Sequence, residues 1–383
     1  MSTLKVNTIQ DTTGNDALTI DSSGNVTASQ GFVPSTQLSH RNLIINGAMQ
    51  VAQRGTSKTG INTSGYKTVD RFNLFLVNSA VLSSLQSTDA PDGFANSLKW
   101  EVTTADTSIG SNEYAQIGYK IEAQDLQHLS YGTSSAKTVT LSFWVKSNKT
   151  GTYCLSYVKD DTTRYDYVAE YTINSANTWE QKVITIVPDS NIQASGGAIA
   201  NDNGQGVTLK FILATGSSRY GTNNTWNSTI PADATSNQVN WLDSTSNNFY
   251  LTGVQLEVGS VATPFEHRSY GEELARCQRY YYQTGTSGYT GIYGTTCTYT
   301  NINQYHEAYG VACSTVEMRT APSITTYDAD GNSGKVSYYI SGTGTPNKTG
   351  TVNGVSSKHY NIYSDNTTSK GGMIWHFTAD SEL

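Results

Sequence analysis

The sequence predicts an all-β protein in four parts: an N-terminal strand-rich stem, a β-sandwich or jelly-roll middle domain, a short helical neck and a C-terminal β-sandwich. Three observations carry this. Charged residues make up only 14% of the 383 residues and apolar ones 36%, against roughly a quarter charged in ordinary globular proteins. Aromatics reach 10% and the net charge is only -7, whereas disordered chains combine few aromatics with high net charge. Short apolar runs alternate with period two and are separated by Gly, Asn, Ser and Thr, the pattern of half-buried strands joined by polar turns.

Residues 1–40 contain "LKVNTI", "ALTI" and "NVTA", punctuated by TGN and SGN turns. Each unit is too short to make a core of its own. The segment reads either as a disordered arm or as a stem whose strands pack only in an oligomer. The opening "MSTLKVNTIQ" has neither the basic start nor the apolar centre of a signal peptide.

Residues 41–268 read as one sandwich. In "VTLSFWVKS", Val139, Leu141, Phe143 and Val145 share a face. Val207, Leu209, Phe211 and Leu213 do so in "GVTLKFILATG", as do Tyr250, Val254, Leu256 and Val258 in "NNFYLTGVQLEVG". "SLKWEV" and "EYAQIGYKI" add two strands, and the polar inserts 189–206 and 216–240 are expected as loops at the sheet ends. Trp226 and Trp241, in polar stretches, are expected to tuck beneath their loops.

Residues 269–279 predict a helix. Ser269 and Glu272 form an S-x-x-E capping box. Tyr270, Leu274, Cys277 and Tyr281 fall on one helical stripe, a candidate contact around a threefold axis. The stretch 276–283, "RCQRYYYQ", then switches from helix to strand, since consecutive tyrosines suit a pleated surface. Residues 280–383 form the last β domain, and thirteen of the 25 tyrosines lie within 277–383.

Function classes narrow on the same grounds. The acidic balance and the lack of Lys/Arg clusters argue against nucleic acid and anionic membranes. No apolar run approaches the length of a membrane span. Cys154, Cys277, Cys297 and Cys313 contain no CxxC pair and read as reduced thiols. No nucleotide-binding, zinc-protease or serine-hydrolase motif occurs, and nothing calls for a cofactor or metal. The local acid groups "KDDTTRYDY" (Asp160, Asp161, Asp166) and "DADGN" (328–332) read as solvated turns, and Asp70 and Arg71 as a structural ion pair or strand-start hydrogen bonds.

Sugar recognition requires flat amphipathic rings and amide or carboxylate partners. The C-terminal domain offers Tyr289, Tyr293, Tyr299, Tyr305, His306 and Tyr309, followed by Tyr338, His359 and Tyr360, as candidate receptor or glycan contacts. Tyr289 and Tyr293 stand out, in the glycine-rich "GTSGYTGIYGTT".

Several segments agree in order with a known family: "MSTLKVNTIQ", "RNLIINGAMQVAQRG", "DRF", "LSFWVKS", "FYLTGVQLEVGSVATPFEHRSYGEELARCQRYY" and the final "GGMIWHFTADSEL". Over residues 1–10 and 41–283 the chain resembles bacteriophage tail fibre proteins of a cyanophage-like group, whose fibres carry a carbohydrate-binding-module-like jelly roll. The resemblance implies a homotrimer in the virion, attached through its N-terminus to a tail or baseplate protein. It implies a C-terminal domain that binds a host cell-surface polysaccharide or lipopolysaccharide, and with no catalytic motif in the sequence that recognition is read as non-enzymatic. Related jelly rolls carry acidic calcium ligands before their last strand; here Thr252 and Gly253 stand there, so that metal site is not expected. The alternatives are a depolymerase that cleaves host glycan and a purely structural spacer.

Overall fold

The computed structural model describes residues 39–229, 231–284, 307–340, 343–365 and 372–383, together with Val6, Ser22 and three N-terminal strands. Those strands, β1 (Thr8–Gln10), β2 (Asp16–Ile20) and β3 (Val26–Ala28), form an antiparallel sheet within a unit spanning Met1–Arg41. Asn42–Leu383 form the second unit.

That second unit begins with a two-sheet sandwich. Its strands are, in chain order, β4 (Ser57–Ile61), β5 (Gly65–Tyr66), β6 (Phe72–Val77), β7 (Val81–Ser87), β8 (Ser97–Thr104), β9 (Tyr114–Glu122) and β10 (Val139–Ser147). They continue with β11 (Gly151–Lys159), β12 (Tyr165–Ile173), β13 (Glu180–Ile186), β14 (Gln205–Thr215), β15 (Thr225–Asn227) and β16 (Asn248–Val258). One sheet has the order β13-β10-β16-β8-β7-β4 and the other β15-β12-β11-β14-β9-β6-β5. The chain passes repeatedly from one sheet to the other, as in a jelly roll.

The predicted alternation holds in β10 and β14. Val139, Leu141, Phe143 and Val145 are fully buried between the sheets, as are Val207, Leu209, Phe211 and Leu213. Trp226 and Trp241 are buried as expected, and Trp226 Nε1 donates to the Val187 carbonyl at 2.9 Å. In β16 the expectation fails at one residue. Phe249 and Leu251 enter the core, then Val254 and Leu256. Gly253, at φ +60, shifts the register and reverses the parity, so Tyr250 points outward. There Tyr250 packs edge-on to Trp179 at 6.0 Å and beneath the Lys146 ammonium at 4.3 Å.

The insert 216–240 is a second correction. Rather than closing a sheet end, its later part lies across the outer face of the seven-stranded sheet. Ala232 and Ala234 pack on Cys154, Val168 and Ile212. These alternate residues of β11, β12 and β14 are apolar on both faces, and only a covering segment keeps the outer ones dry.

Among the described residues the single long α-helix is α2 (Tyr270–Gln278), after the one-turn α1 (Ser190–Gln193). Ser269 Oγ accepts from Glu272 N at 3.3 Å, as its capping box predicts. The face of α2 turned to the sandwich carries Glu273 and Cys277. Glu273 Oε1 accepts from Asn46 N at 2.6 Å, and Asn46 in turn bonds Val51 and Asp70. Of the predicted stripe, Cys277 and Tyr281 are buried within this chain, Leu274 is half-buried and Tyr270 is 57% exposed.

The three tyrosines after α2 fasten the C-terminal part to the sandwich. The Tyr280 ring lies 3.3 Å from the Arg71 guanidinium carbon, and the Tyr281 ring 3.6 Å from that of Arg54. Arg71 Nη1 pairs with Glu382, and Arg54 Nη2 lies 3.3 Å from both Asp380 and Glu382. Arg279 grips Glu122 with two bonds of 2.8 Å. Tyr282 joins a separate core with Phe377, Tyr360, Trp375 and Val336. Around it lie three small sheets. They are built from β17 (Tyr281–Gln283), β18 (Glu307–Cys313), β19 (Ser323–Tyr327), β20 (Lys335–Ile340), β21 (Thr343–Thr349), β22 (Thr351–Asn353), β23 (His359–Asp365), β24 (Gly372–Ile374) and β25 (His376–Asp380). Asp70 and Arg71 are both structural but pair with other residues: Asp70 accepts from Gln53 N at 2.9 Å and faces Arg54 at 3.9 Å.

Two predictions follow from this packing. An added Cβ at Gly253 would sit 2.8 Å from the Phe94 ring and 2.9 Å from Trp144, at a φ of +60 that side chains resist. Gly253→Ala is expected to cost about 1–3 kcal/mol in urea unfolding. Burial raises the Asp70 pKa to about 6, against the opposing pull of Arg54. Between about pH 4 and pH 6 the folded chain therefore keeps a proton that the unfolded chain has lost, and this residue's contribution to stability grows as pH falls through that window. The stability of wild type minus Asp70→Asn is expected to rise by about 2–3 kcal/mol from pH 7 to pH 4; a difference independent of pH would refute the assignment.

Candidate functional site

Period-two alternation gives the seven-stranded sheet an outer face as well as an inner one. The covering insert occupies the part over β11 and β12. The part over β14, β9 and β6 remains open, and the outward side chains there are polar: Thr208 and Lys210 on β14, Gln116 and Lys120 on β9, Asn73 on β6. Thr208, Lys210, Gln116 and Lys120, with Phe75, Tyr114 and Arg219, border a groove of about 230 Å³. The β11–β12 hairpin adds Asp160 and Arg164.

Two buried carboxylates organise the groove. Asp233, on the covering insert, accepts from Gln116 Nε2 at 2.7 Å, from Lys210 Nζ at 3.0 Å and from Arg219 Nε. Burial acts to raise its pKa, and Lys210 and Arg219 more than reverse this, so the carboxyl titrates below its ordinary value. Arg219 also stacks on Tyr114, with 4.2 Å from guanidinium carbon to ring centre. Asp166, also fully buried, takes two bonds from Arg164 at 2.7 and 2.8 Å and a third from Ala232 N at 2.8 Å. Asp160 behaves differently. It accepts from Thr208 Oγ1 at 2.7 Å, and burial pushes its pKa up.

The floor is shaped by a glycine. A Cβ on Gly118 would lie 2.2 Å from the Phe75 ring and 2.3 Å from Asn73 Oδ1. Its absence lets both side chains lie flat over β9. Asn73 is 5% exposed, and its buried Oδ1 has no hydrogen-bond partner. At the other end Lys120 Nζ donates to the Leu383 carbonyl at 2.7 Å. Every one of these groups except Arg219, Asp233 and the hairpin pair stands on a strand, so the site is held rigidly.

A larger hollow of about 600 Å³ lies beside β12, bordered by Glu170, Tyr220, Asn223 and Asn237. Its polar groups are largely engaged with one another. Glu170 Oε1 takes Thr235 and Asn237, Asn223 Oδ1 takes Glu170 N, and Asn227 donates to the carbonyls of Asp166, Thr222 and Thr225. This network fastens the loop.

Of the sequence-predicted contacts, Tyr289, Tyr293, Tyr299, Tyr305 and His306 lie outside the described residues. Tyr309 stands in β18 opposite Tyr363, and Tyr338 in β20 opposite Met373 and Thr345. His359 is exposed at the start of β23, while its neighbour Tyr360 is fully buried, edge-on to Phe377 at 5.0 Å. Strand alternation thus separates His359 from Tyr360, and neither borders the groove. Asp328 of "DADGN" closes a turn, accepting from the backbone of Asp330, Asn332 and Asn347.

The groove was missed in the sequence, though two signals pointed to it. Lys120 and Lys210 interrupt otherwise apolar strands at outward positions. The "KDDTTRYDY" acids are not solvated as expected: Asp166 is buried in an ion pair, and Asp160 borders the groove. Asp233 carries no local signal. Replacing it by Asn leaves a buried and a half-buried cation under-compensated and is expected to cost about 3 kcal/mol in chemical unfolding. An unchanged midpoint would show that Lys210 and Arg219 do not depend on it.

No protein-family model matches the chain, and no curated protein does. Among solved structures, the enzymatically active domain of bacteriophage CBA120 tailspike protein 4 aligns at 10% identity and a TM-score of 0.28, over 57% of this chain and 21% of that one. The family 11 carbohydrate-binding module of the Clostridium thermocellum cellulase Lic26A-Cel5E aligns at 13% identity and 0.27, over 56% and 98%. The C-terminal family 22 carbohydrate binding module of Clostridium thermocellum Xyn10B aligns at 13% and 0.28, over 60% and 100%. TM-scores this low carry neither fold nor function over to this chain.

Proposed function

We propose that this chain is a bacteriophage tail fibre that binds a host cell-surface polysaccharide without cleaving it, and that the groove of the seven-stranded sheet makes the contact. The groove carries the proposal. It places amide, hydroxyl, ammonium and carboxyl groups around the flat faces of Phe75 and Tyr114, on strands that cannot easily move. Sugar rings offer the complementary surface: apolar C–H faces edged by hydroxyls.

Binding is favoured over hydrolysis because of the state of the acids. Glycosidases use two carboxyl groups that can exchange roles in proton transfer and attack. Here Asp233 is held by two cations and Gln116, and Asp166 by Arg164 and the Ala232 amide, which leaves Asp160, among the described residues, as the groove carboxyl without a salt bridge. The resemblance of the opening residues and of 41–283 to tail fibres supports virion attachment through the N-terminal unit and assembly as a homotrimer. Three copies would multiply weak sites by avidity, on the order of 10²–10⁴ over a single site. The sequence reading placed the receptor in the C-terminal domain. The groove is preferred as the primary contact because its groups converge, whereas Tyr360 is a core residue.

The test is binding of the full chain to host surface polysaccharide by calorimetry, with Phe75→Ala and His359→Ala beside wild type. Phe75→Ala is expected to weaken binding at least about tenfold with little change in melting temperature, and no new reducing ends should appear. Loss of binding in His359→Ala alone would move the site to the C-terminal domain. Release of reducing ends would make the protein a depolymerase.

A further inference from the structure

Within that reading, the hydrogen-bonding capacity of the groove narrows its ligand. Four cations meet there, Lys120, Arg164, Lys210 and Arg219. Three carboxylates answer them, Asp160, Asp166 and Asp233. The Leu383 oxygen that Lys120 meets belongs to the terminal carboxylate, so the charges of the groove balance, four against four.

The hydrogen-bonding groups do not balance. Arg164 turns its Nε and one Nη onto Asp166, and is neutralised there. Lys210 uses one bond, to Asp233, and Lys120 one, to the Leu383 oxygen. Arg219 engages Asp233 through Nε and rests its face on Tyr114. An ammonium has three N–H groups and a guanidinium five. Each lysine thus keeps two donors and Arg219 four. On the acceptor side, Asp233 and Asp166 each already receive three bonds. A neutral sugar hydroxyl needs donors and acceptors in similar number; a donor surplus suits an anion.

We infer that the groove takes a glycan bearing an acidic group, a carboxylate or a phosphate, with the anion placed against the free N–H groups of Lys120, Lys210 and Arg219. Asp160 is turned toward Thr208, which occupies its Oδ2, and burial shifts its pKa up. Burial likewise holds the Lys120 ammonium below its ordinary pKa, and a bound anion would restore it, as Asp160 does in part.

The experiment uses the full chain and a panel of bacterial capsular and lipopolysaccharide glycans, acidic and neutral. Each acidic one is paired with its carboxyl-reduced or dephosphorylated derivative. The bound glycans are expected to be acidic and to lose at least tenfold in affinity on removal of the charge. The derivative that loses affinity identifies carboxylate or phosphate. Binding should weaken as NaCl is raised, and Lys120→Gln should shrink the gap between a glycan and its neutral derivative. Salt dependence is read on wild type and does not depend on the variant folding. If the bound glycans are neutral, or if removing the charge changes nothing, this inference falls while glycan binding stands. If no glycan in the panel binds, both fall.

Discussion

Arg71 is the residue on which the rest of the structure turns. Its guanidinium is 1% exposed, and a cation so placed is costly unless every side of it is answered. It is answered from four directions, the Tyr280 ring on one face, Tyr119 at 5.4 Å, the Lys120 carbonyl at 2.7 Å and the Glu382 carboxylate, and only its Nε–H is left without a hydrogen-bond partner. Those partners come from β9, the segment after α2 and the last residues of the chain. One buried charge therefore ties together pieces separated by more than three hundred positions. Arg54 repeats the arrangement beside it with Tyr281, Tyr66, Asp380 and Glu382. The tyrosine run is thus a rivet. Two rings cap arginines of the sandwich, and the third enters the C-terminal core.

This junction and the groove share a strand. β9 gives its Lys120 carbonyl to Arg71 and its Lys120 ammonium to the groove, while Glu122 at its end receives Arg279. The last residues of the chain touch both, since Glu382 pairs with Arg71 and the Leu383 carbonyl accepts from Lys120. The C-terminal segment thus bears on the position of a groove residue without lining the groove's aromatic side. Hydrogen bonds to buried charges are among the stronger ones, and a network of them fixes geometry more firmly than apolar contact alone.

The groove follows from a division of labour across one sheet. Inner side chains make the core, and outer ones meet either the covering insert or the open hollow. Asp233 stands at the seam: it belongs to the insert, yet its oxygens hold Gln116 and Lys210 of the strands. A polar surface arranged this way is pre-ordered, so a ligand need not pay to order the side chains it meets.

The sequence by itself determined the class of structure and much of its local detail. Low charge, period-two runs and polar turns specify half-buried strands, because alternation is a property of the extended backbone. The Ser269–Glu272 box sets the start of α2, because capping is satisfied within one turn of chain. Trp226 and Trp241 were legible as buried, since their area is too large to leave wet. What only the tertiary structure decided lies wherever distant segments meet. The parity of Tyr250 depended on a bulge at Gly253, required by the approach of Phe94 and Trp144. The partners of Arg71 and Asp70 were not each other, because burial selects among all carboxylates that folding brings near. Asp233 gave no sign in its own neighbourhood of the sequence. A site assembled from β14, β9, a hairpin and an insert exists only once the sheet has aligned them, since charge pairing acts through space and not along the chain.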